Sequence, residues 1–350
     1  MSKSLQIAII GCGVIGPVHA ESFLRNPGVS LRWACDVQAD RAARLAEKYN
    51  VARQTTSIDE VLADPEVDAV AICTDHYTHA ALVASALDAG KHVLCEKPLG
   101  ISKADLQVIG DAVARNPGVY FGGVLQHRFD PLYRCMKTWV AAGYLGKPVT
   151  AALQVQCFRS PDYYKMDKWR GTWAQEGGSV LINQAIHFVD SIQWIMGGAS
   201  AVCSRCENLG HQGLIETEDT AAVALHFKNG AIGTLSVTSA SMLDWEPTLS
   251  VYGTDGFIET RNGQLARLQC RDKALEARLI TELAAQQEAE KTTVGKDYYG
   301  PSHPTQIADF VHAIQQSRQP FVGFNEARQP VEVVLAIYQS NREGRWVNVG

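Results

Sequence analysis

Leu5-Gln6-Ile7-Ala8-Ile9-Ile10-Gly11-Cys12-Gly13-Val14-Ile15-Gly16 is the stretch from which the rest of the chain is read. A short, mainly apolar strand runs straight into three glycines spaced Gly-x-Gly-x-x-Gly, and a helical pattern follows. That order suits a tight turn at Gly11, close backbone approach of an anion at Gly13 and helix packing at Gly16. The helix start carries unpaired N–H groups and partial positive charge, with Val14 and Ile15 in its first turn. Asp36 lies twenty residues beyond Gly16, at the end of a second strand pattern. A carboxylate there accepts hydrogen bonds from ribose hydroxyls and repels a 2′-phosphate, and no Arg directly follows it. The expected cofactor is therefore NAD rather than NADP.

Up to about Tyr144, apolar runs at 5–10, 30–35, 69–73, 92–95 and 119–122 alternate with helical patterns at 39–49, 78–89 and 103–115. Such alternation predicts repeated βαβ units, hence a doubly wound parallel sheet of the Rossmann kind. Beyond Pro148 the texture changes to strand candidates at 149–158, 200–207, 220–227, 231–238, 248–252 and 257–260, several separated by glycine turns. This part reads as a largely antiparallel open sheet with helices, including one at 179–196 and two at 304–317 and 327–343. The fold class is thus α/β plus α+β. Residues 1–125 are expected to form the cofactor domain and 126–350 a substrate-binding and oligomerisation domain, with the last helix able to pack back on the first. The polar, charged stretch 274–295 reads as a solvated helix.

Thirty-two Lys and Arg against 37 Asp and Glu leave a net charge of −5, without the basic excess that a phosphate backbone requires. Nucleic acid is not an expected partner. No apolar run approaches the roughly 20 residues needed to span a bilayer, and the start moves into a strand without a signal-like segment, so a cytoplasmic protein without membrane attachment is expected. The nine cysteines, most of them in apolar runs, read as buried free thiols. Cys203 and Cys206 have the spacing of half a zinc knuckle, but no second pair sits at a useful distance, so no metal is expected.

Two stretches carry candidate chemistry. Cys95-Glu96-Lys97-Pro98 ends a strand of the parallel sheet, and the carboxyl ends of such strands are where open α/β sheets bind ligands. A Lys partly desolvated beside a positive nicotinamide ring is suited to accept a substrate proton or to donate a hydrogen bond. In Gly177-Gly178-Ser179-Val180-Leu181-Ile182-Asn183-Gln184-Ala185-Ile186-His187-Phe188-Val189-Asp190, Asn183 and His187 are four apart and Asp190 three further on, one face of a helix. Imidazole is the side chain best poised for proton exchange near neutral pH. Taken singly, each stretch also fits a blander reading, a surface Lys before Pro and a core His on an apolar helix.

Together with the Gly11 turn, Thr74-Asp75-His76-Tyr77-Thr78-His79 and Ala89-Gly90-Lys91-His92-Val93-Leu94-Cys95-Glu96-Lys97-Pro98 make a specific pattern. The chain resembles, over nearly its whole length, the Gfo/Idh/MocA oxidoreductase family, named after glucose-fructose oxidoreductase, inositol dehydrogenase and a rhizopine-catabolism protein. The resemblance implies that Lys97 and His187 flank the reacting carbon as catalytic residues. It assigns Thr74, His76, His79, Glu96, Gln126, Trp169 and Arg170 to the cofactor, and Arg128, Asn183 and Gln184 to the substrate. Many sugar and inositol dehydrogenases of this type have Asp where this chain has Asn183; an amide cannot act as a base, so the burden shifts to Lys97 and His187. Asn-Gln-Ala-Ile-His, Gln126-His127-Arg128-Phe129 and Tyr299-Gly300-Pro301-Ser302-His303 look most like the branch containing UDP-N-acetylglucosaminuronate 3-dehydrogenases, which adds His303 as a substrate contact.

The expectation is an NAD-dependent dehydrogenase acting on a ring secondary hydroxyl of a sugar, nucleotide sugar or cyclitol, assembled as a homodimer or homotetramer. Two alternatives stand beside it. One is an NAD-dependent glycosidase working by transient oxidation and elimination, and the other a non-catalytic sensor of NAD or sugar on the same fold.

Overall fold

The computed structural model describes residues 4–289 and 302–350. They fall into two compact units, one of residues 4–126 with 302–328, the other of 127–289 with 329–350.

The first unit runs β1 (Leu5–Ile10), α1 (Gly16–Leu24), β2 (Val29–Cys35), α2 (Ala39–Tyr49), β3 (Arg53–Thr55), α3 (Ile58–Ala63), β4 (Ala69–Ile72), α4 (His79–Asp88), β5 (His92–Cys95), α5 (Lys103–Arg115) and β6 (Phe121–Gly123). Its six strands lie in the order β3-β2-β1-β4-β5-β6, every pair parallel. This is the Rossmann order, with the reversal between β1 and β4. Parallel strands covered on both faces read as unbroken apolar runs, and Ala69-Val70-Ala71-Ile72 is wholly buried. The short edge strand β3, Arg53-Gln54-Thr55, carries no apolar signal and was not expected.

Residues of α10 (His303–Gln315) close the core of this unit. Ile307, Phe310 and Val311 join Phe23, Leu31 and Leu94 in one apolar cluster, and Phe310 meets Phe23 edge to face at 6.4 Å. Gln306 donates to Gly123 O (2.8 Å) and accepts from Leu125 N (3.1 Å), satisfying backbone groups where β6 ends.

The second unit adds α6 (Pro131–Ala141), β7 (Pro148–Phe158), α7 (Pro161–Lys165), α8 (Ile186–Ile195), β8 (Ala199–Glu207), β9 (Thr220–Phe227), β10 (Ile232–Thr238), β11 (Ala240–Gly253), β12 (Gly256–Arg261), β13 (Gln264–Cys270) and α9 (Lys273–Ala289). After α10 come α11 (Phe324–Glu343) and β14 (Val347–Asn348). The eight strands are ordered β13-β12-β11-β7-β10-β9-β8-β14, and all neighbours are antiparallel except β7 and β10. Along β10 burial alternates, with Gly233, Leu235 and Val237 inward and Ile232, Thr234 and Ser236 outward, the period of a sheet covered on one face. The polar stretch after residue 272 is helical in α9 and buries Leu279 and Leu283; its continuation to 295 lies outside the described residues.

The helix expected at 179–196 is not continuous. Val180–Gln184 form a π turn, closed by Ala185 N donating to Val180 O at 2.8 Å, and α8 follows. Eight of the nine cysteines are buried, Cys203 is half-buried, and none is bridged.

Candidate active site

In the first unit, β1 delivers the chain into the glycine turn. Gly11 adopts φ +92°, and a Cβ on it would run into the Cys73 carbonyl at the end of β4. A Cβ on Gly16 would run into the Gly11 carbonyl, so both positions require glycine. At Gly13 an added Cβ would meet one ordinary contact, Arg41 Nη1 at 3.9 Å. No side chain caps the N-terminus of α1 and no acid sits in its first turn; Pro17 has no N–H, and Val18 and His19 donate to Ile15 O at 3.0 and 3.2 Å. Val14 is exposed there and Ile15 partly so. Burial pushes the Cys12 thiol up to about 12, so the turn's cysteine is inert.

Asp36 is buried at the end of β2, where Oδ2 accepts from Cys12 N and Oδ1 from Gln38 N, both at 2.8 Å. The carboxylate thereby locks β2 to the glycine turn, and each oxygen keeps a second lone pair for a ribose hydroxyl. An unfilled cradle, an uncapped helix start and a fixed carboxylate are what a dinucleotide requires, so the residues present fit NAD.

Lys97 is the one residue between Val93 and Gly100 that is not buried. Glu96 beside it is buried, taking His19 Nε2 on Oε1 at 2.7 Å and Lys97 N on Oε2 at 3.1 Å. Burial alone would raise the Glu96 carboxyl, but the His19 hydrogen bond and the nearby His19, His303 and Lys97 outweigh it and bring it down to about 2. Glu96 is an anion at neutral pH. His303, at the start of α10, is buried with Nε2 4.0 Å from Glu96 Oε1 and its ring edge to face with His19 at 6.3 Å.

The turn after β4 is held by Thr74 Oγ1 and Thr78 Oγ1, 2.7 Å apart, with Thr78 also donating to Asp75 O at 2.7 Å. His76 and Gln126 are buried. His79 is fully buried, and both its ring nitrogens contact backbone carbonyls, Nδ1 with Pro98 O at 2.7 Å and Nε2 with Thr74 O at 3.1 Å. Sequence assigned His79 to the cofactor; its ring instead meets two turns of the protein.

In the second unit, Asn183 and His187 alone escape burial between Gly177 and Gln193. Asn183 Nδ2 donates to Glu176 Oε1 at 2.6 Å and to Tyr163 Oη at 3.3 Å. A carboxylate only accepts, so the amide nitrogen must face Glu176 and Oδ1 is turned the other way. Glu176, fully buried, also accepts from Gly171 N. Tyr163 Oη further accepts from Gln184 Nε2 (3.0 Å) and Arg170 Nη1 (2.6 Å), and burial pushes its phenol up to about 12. Gln184 is therefore buried and turned inward. Arg170 lies between the rings of Tyr163 (4.3 Å) and Trp169 (4.6 Å), and Trp169 is partly exposed.

Glu218 anchors the start of this segment. Its oxygens accept from Ser179 N (3.1 and 3.2 Å), Leu181 N (3.0 Å) and Tyr338 Oη (2.9 Å). Burial pushes the Glu218 carboxyl up to about 7 against those hydrogen bonds. Gly178, at φ +143°, leaves room for the Tyr338 hydroxyl where any Cβ would stand. Tyr163, Glu176 and Glu218 were not singled out from sequence, since none belongs to a spaced motif; a carboxylate directly before Gly177-Gly178 was the one local signal.

His187 packs edge to face on His127 at 5.5 Å, and His127 Nδ1 lies 2.6 Å from Asp130 Oδ2. Asp190, placed by spacing on the same face as His187, is instead buried and bound by Arg128 through Nε (2.8 Å) and Nη2 (2.7 Å). Arg128 is itself 2% exposed, with Gln329 Oε1 at 3.4 Å and the Trp194 ring at 5.3 Å. A carboxylate this deep requires a paired cation, and the bidentate geometry supplies it.

The parallel sheet with its glycine turn and acid defines a dinucleotide-dependent protein of the Rossmann class. Residues 5–123 match the family model described as the NAD-binding Rossmann fold of an oxidoreductase family, and residues 137–349 match that family's C-terminal alpha/beta domain. The chain belongs to this oxidoreductase family, Gfo/Idh/MocA. It is 26% identical to the myo-inositol 2-dehydrogenase of Thermotoga maritima, over 99% of this chain and 98% of that one. Against the scyllo-inositol 2-dehydrogenase (NAD(+)) of Bacillus subtilis it is 24% identical, over 98% and 96%. The WlbA dehydrogenase of Bordetella pertussis, solved with NADH and UDP-GlcNAcA, shares the fold at TM-score 0.90 and 22% identity, covering 100% of this chain and 99% of the other.

Proposed function

We propose that the protein is an NAD-dependent dehydrogenase that converts a ring secondary hydroxyl of a sugar, nucleotide sugar or cyclitol into a ketone. The observation that carries this reading is the exposure pattern. Lys97 on its turn, Asn183 in the π turn and His187 on α8 are the half-buried residues in otherwise buried runs, and all three are polar. Bound at the glycine turn, NAD supplies the hydride acceptor. The Gly11, Gly13 and Gly16 backbone with Val14 and Ile15 holds its pyrophosphate, and Asp36 holds its ribose.

Glu96, buried and anionic, directly precedes Lys97 in the chain. Lys97 serves as hydrogen-bond donor to the carbinol oxygen, and His187 takes the hydroxyl proton. Asn183, its nitrogen committed to Glu176, orients the substrate. Arg128 and Gln184, both buried and turned to partners inside the second unit, support the helix and the network rather than touching substrate. The inositol dehydrogenases and the UDP-GlcNAcA-bound structure among the relatives support a polyhydroxylated ring as substrate.

The test is a panel of sugars, cyclitols and UDP-sugars with NAD and with NADP, read by reduced-cofactor absorbance. Reduction by one group of rings with NAD is the expected result; silence across the panel refutes the reading. Aglycone release without net NADH would instead mark a glycosidase.

No helix among the described residues is long and apolar enough to cross a membrane. We place the protein in the cytoplasm as a homodimer or homotetramer joined through the outward face of the second sheet, where Gln154, Thr234 and Ser236 are exposed. Light scattering checks the assembly.

A further inference from the structure

His79 sits where two turns of the first unit meet. It opens α4, directly after the turn that follows β4, and its ring reaches Pro98 on the turn that follows β5. Carbonyl oxygens only accept hydrogen bonds, and a neutral imidazole carries one N–H. With Pro98 O at 2.7 Å from Nδ1 and Thr74 O at 3.1 Å from Nε2, a neutral ring serves one carbonyl and turns a lone pair to the other. Only the imidazolium donates to both. Full burial disfavours that charge and pushes the ring below its usual value, Glu96 working against this shift and Lys97 with it. His76 is the further titratable ring nearby, 6.2 Å away. The shorter contact marks Nδ1 as the protonated nitrogen of the neutral ring.

The carbonyl that Nδ1 meets belongs to the residue after Lys97. On the other side of Lys97, its own N–H is taken by Glu96, which His19 holds. The backbone around Lys97 is thus fixed from both flanks by buried rings, while the residue itself is half-buried. A fully buried ring cannot itself reach a ligand, so its effect on chemistry must pass through the turns it joins.

We propose that His79 is a positioning residue for Lys97, a buried ring that ties the turn after β5 to the turn after β4 and so fixes where the ammonium is presented. This rests on the catalytic reading of Lys97.

The experiment compares His79→Phe, which fills the space without donors, with His79→Asn, whose amide nitrogen takes the place of Nδ1. In His79→Phe, kcat falls about tenfold or more while KM for NAD and for the ring substrate changes by less than about threefold. His79→Asn restores kcat to within about threefold of the parent. Folded variants, checked by circular dichroism, whose kcat values all lie within about twofold of the parent overturn the proposal. Should the Phe variant fail to fold, nitrogen NMR of the unaltered protein decides. The Nδ1–H tautomer at pH 7.5, titrating below the usual histidine value, is expected; an Nε2–H ring overturns it. Lys97→Met is measured alongside. If it keeps turnover, the reading of Lys97 falls whatever His79 does; if it is inactive and both His79 variants match the parent, the positioning role alone falls.

Discussion

Lys97 sits on a turn held by two buried imidazoles, His19 through Glu96 and His79 through Pro98 O, whereas the segment bearing Asn183 and His187 is held by two buried carboxyls, Glu176 and Glu218. In both, the candidate residues are half-buried within otherwise buried runs. They differ in how protons act on them. The His79 ring has its pKa lowered by burial, so its contribution to stability is complete above the unfolded histidine value and is lost as pH falls through the folded one. Glu96, lowered to about 2, works in the same sense, contributing above the unfolded carboxyl value of 4.5 and losing that contribution toward pH 2. Glu218, raised by burial to about 7, works in the opposite sense. Its contribution is complete below 4.5 and is lost as pH rises through 7. Acid therefore loosens the first turn, and alkali loosens the start of the second segment.

The largest effect that sharpens this comparison is on turnover. Lys97→Met and His187→Ala each lower kcat by about 10² to 10⁴ while calorimetry still detects NAD binding. Equal turnover in either variant removes that residue from the chemistry.

Next in size is Arg128→Ala, which strands the buried Asp190 charge and costs about 3–5 kcal/mol in urea unfolding. If stability held and substrate KM rose instead, Arg128 would be a substrate ligand after all.

Glu218→Gln removes a carboxyl that burial raises above its usual value. The shift from 4.5 to about 7 corresponds to on the order of 3 kcal/mol, so the parent's Tm falls by several degrees between pH 4.5 and 8 from this group and the variant's curve is flatter. An unchanged slope would assign the dependence elsewhere.

The smallest effect concerns the cofactor. Asp36→Ser lowers kcat/KM with NAD by about tenfold and narrows its advantage over NADP, because the ribose acceptor and the repelling charge go together. Retained preference for NAD would place discrimination outside Asp36.

Local chemistry was legible in the sequence wherever a backbone conformation demanded a residue type. Gly11 at φ +92° under the Cys73 carbonyl, Asp36 at the end of β2 and Lys97 at the end of β5 all lie in short, motif-bearing stretches whose spacing reflects one strand-turn unit. Five of the six parallel strands and six of the eight in the second sheet followed from apolar periodicity; the short or mainly exposed β3, β13 and β14 did not.

Spacing failed where burial decided. Three residues after His187, Asp190 should share its face, yet an uncompensated carboxylate cannot stay in a packed interior, and it pairs with Arg128, sixty-two positions away in the chain. The π turn at Val180–Gln184 was hidden for the same reason, since Glu218 capping Ser179 and Leu181 is a contact between distant segments. The amino-acid sequence by itself determined the class of fold and the cofactor turn, and it singled out Lys97, Asn183 and His187 as candidates. Which buried acids and rings hold those residues was decided only by tertiary structure, because hydrogen bonds to backbone N–H and C=O groups across tens of positions leave no periodic trace in a chain.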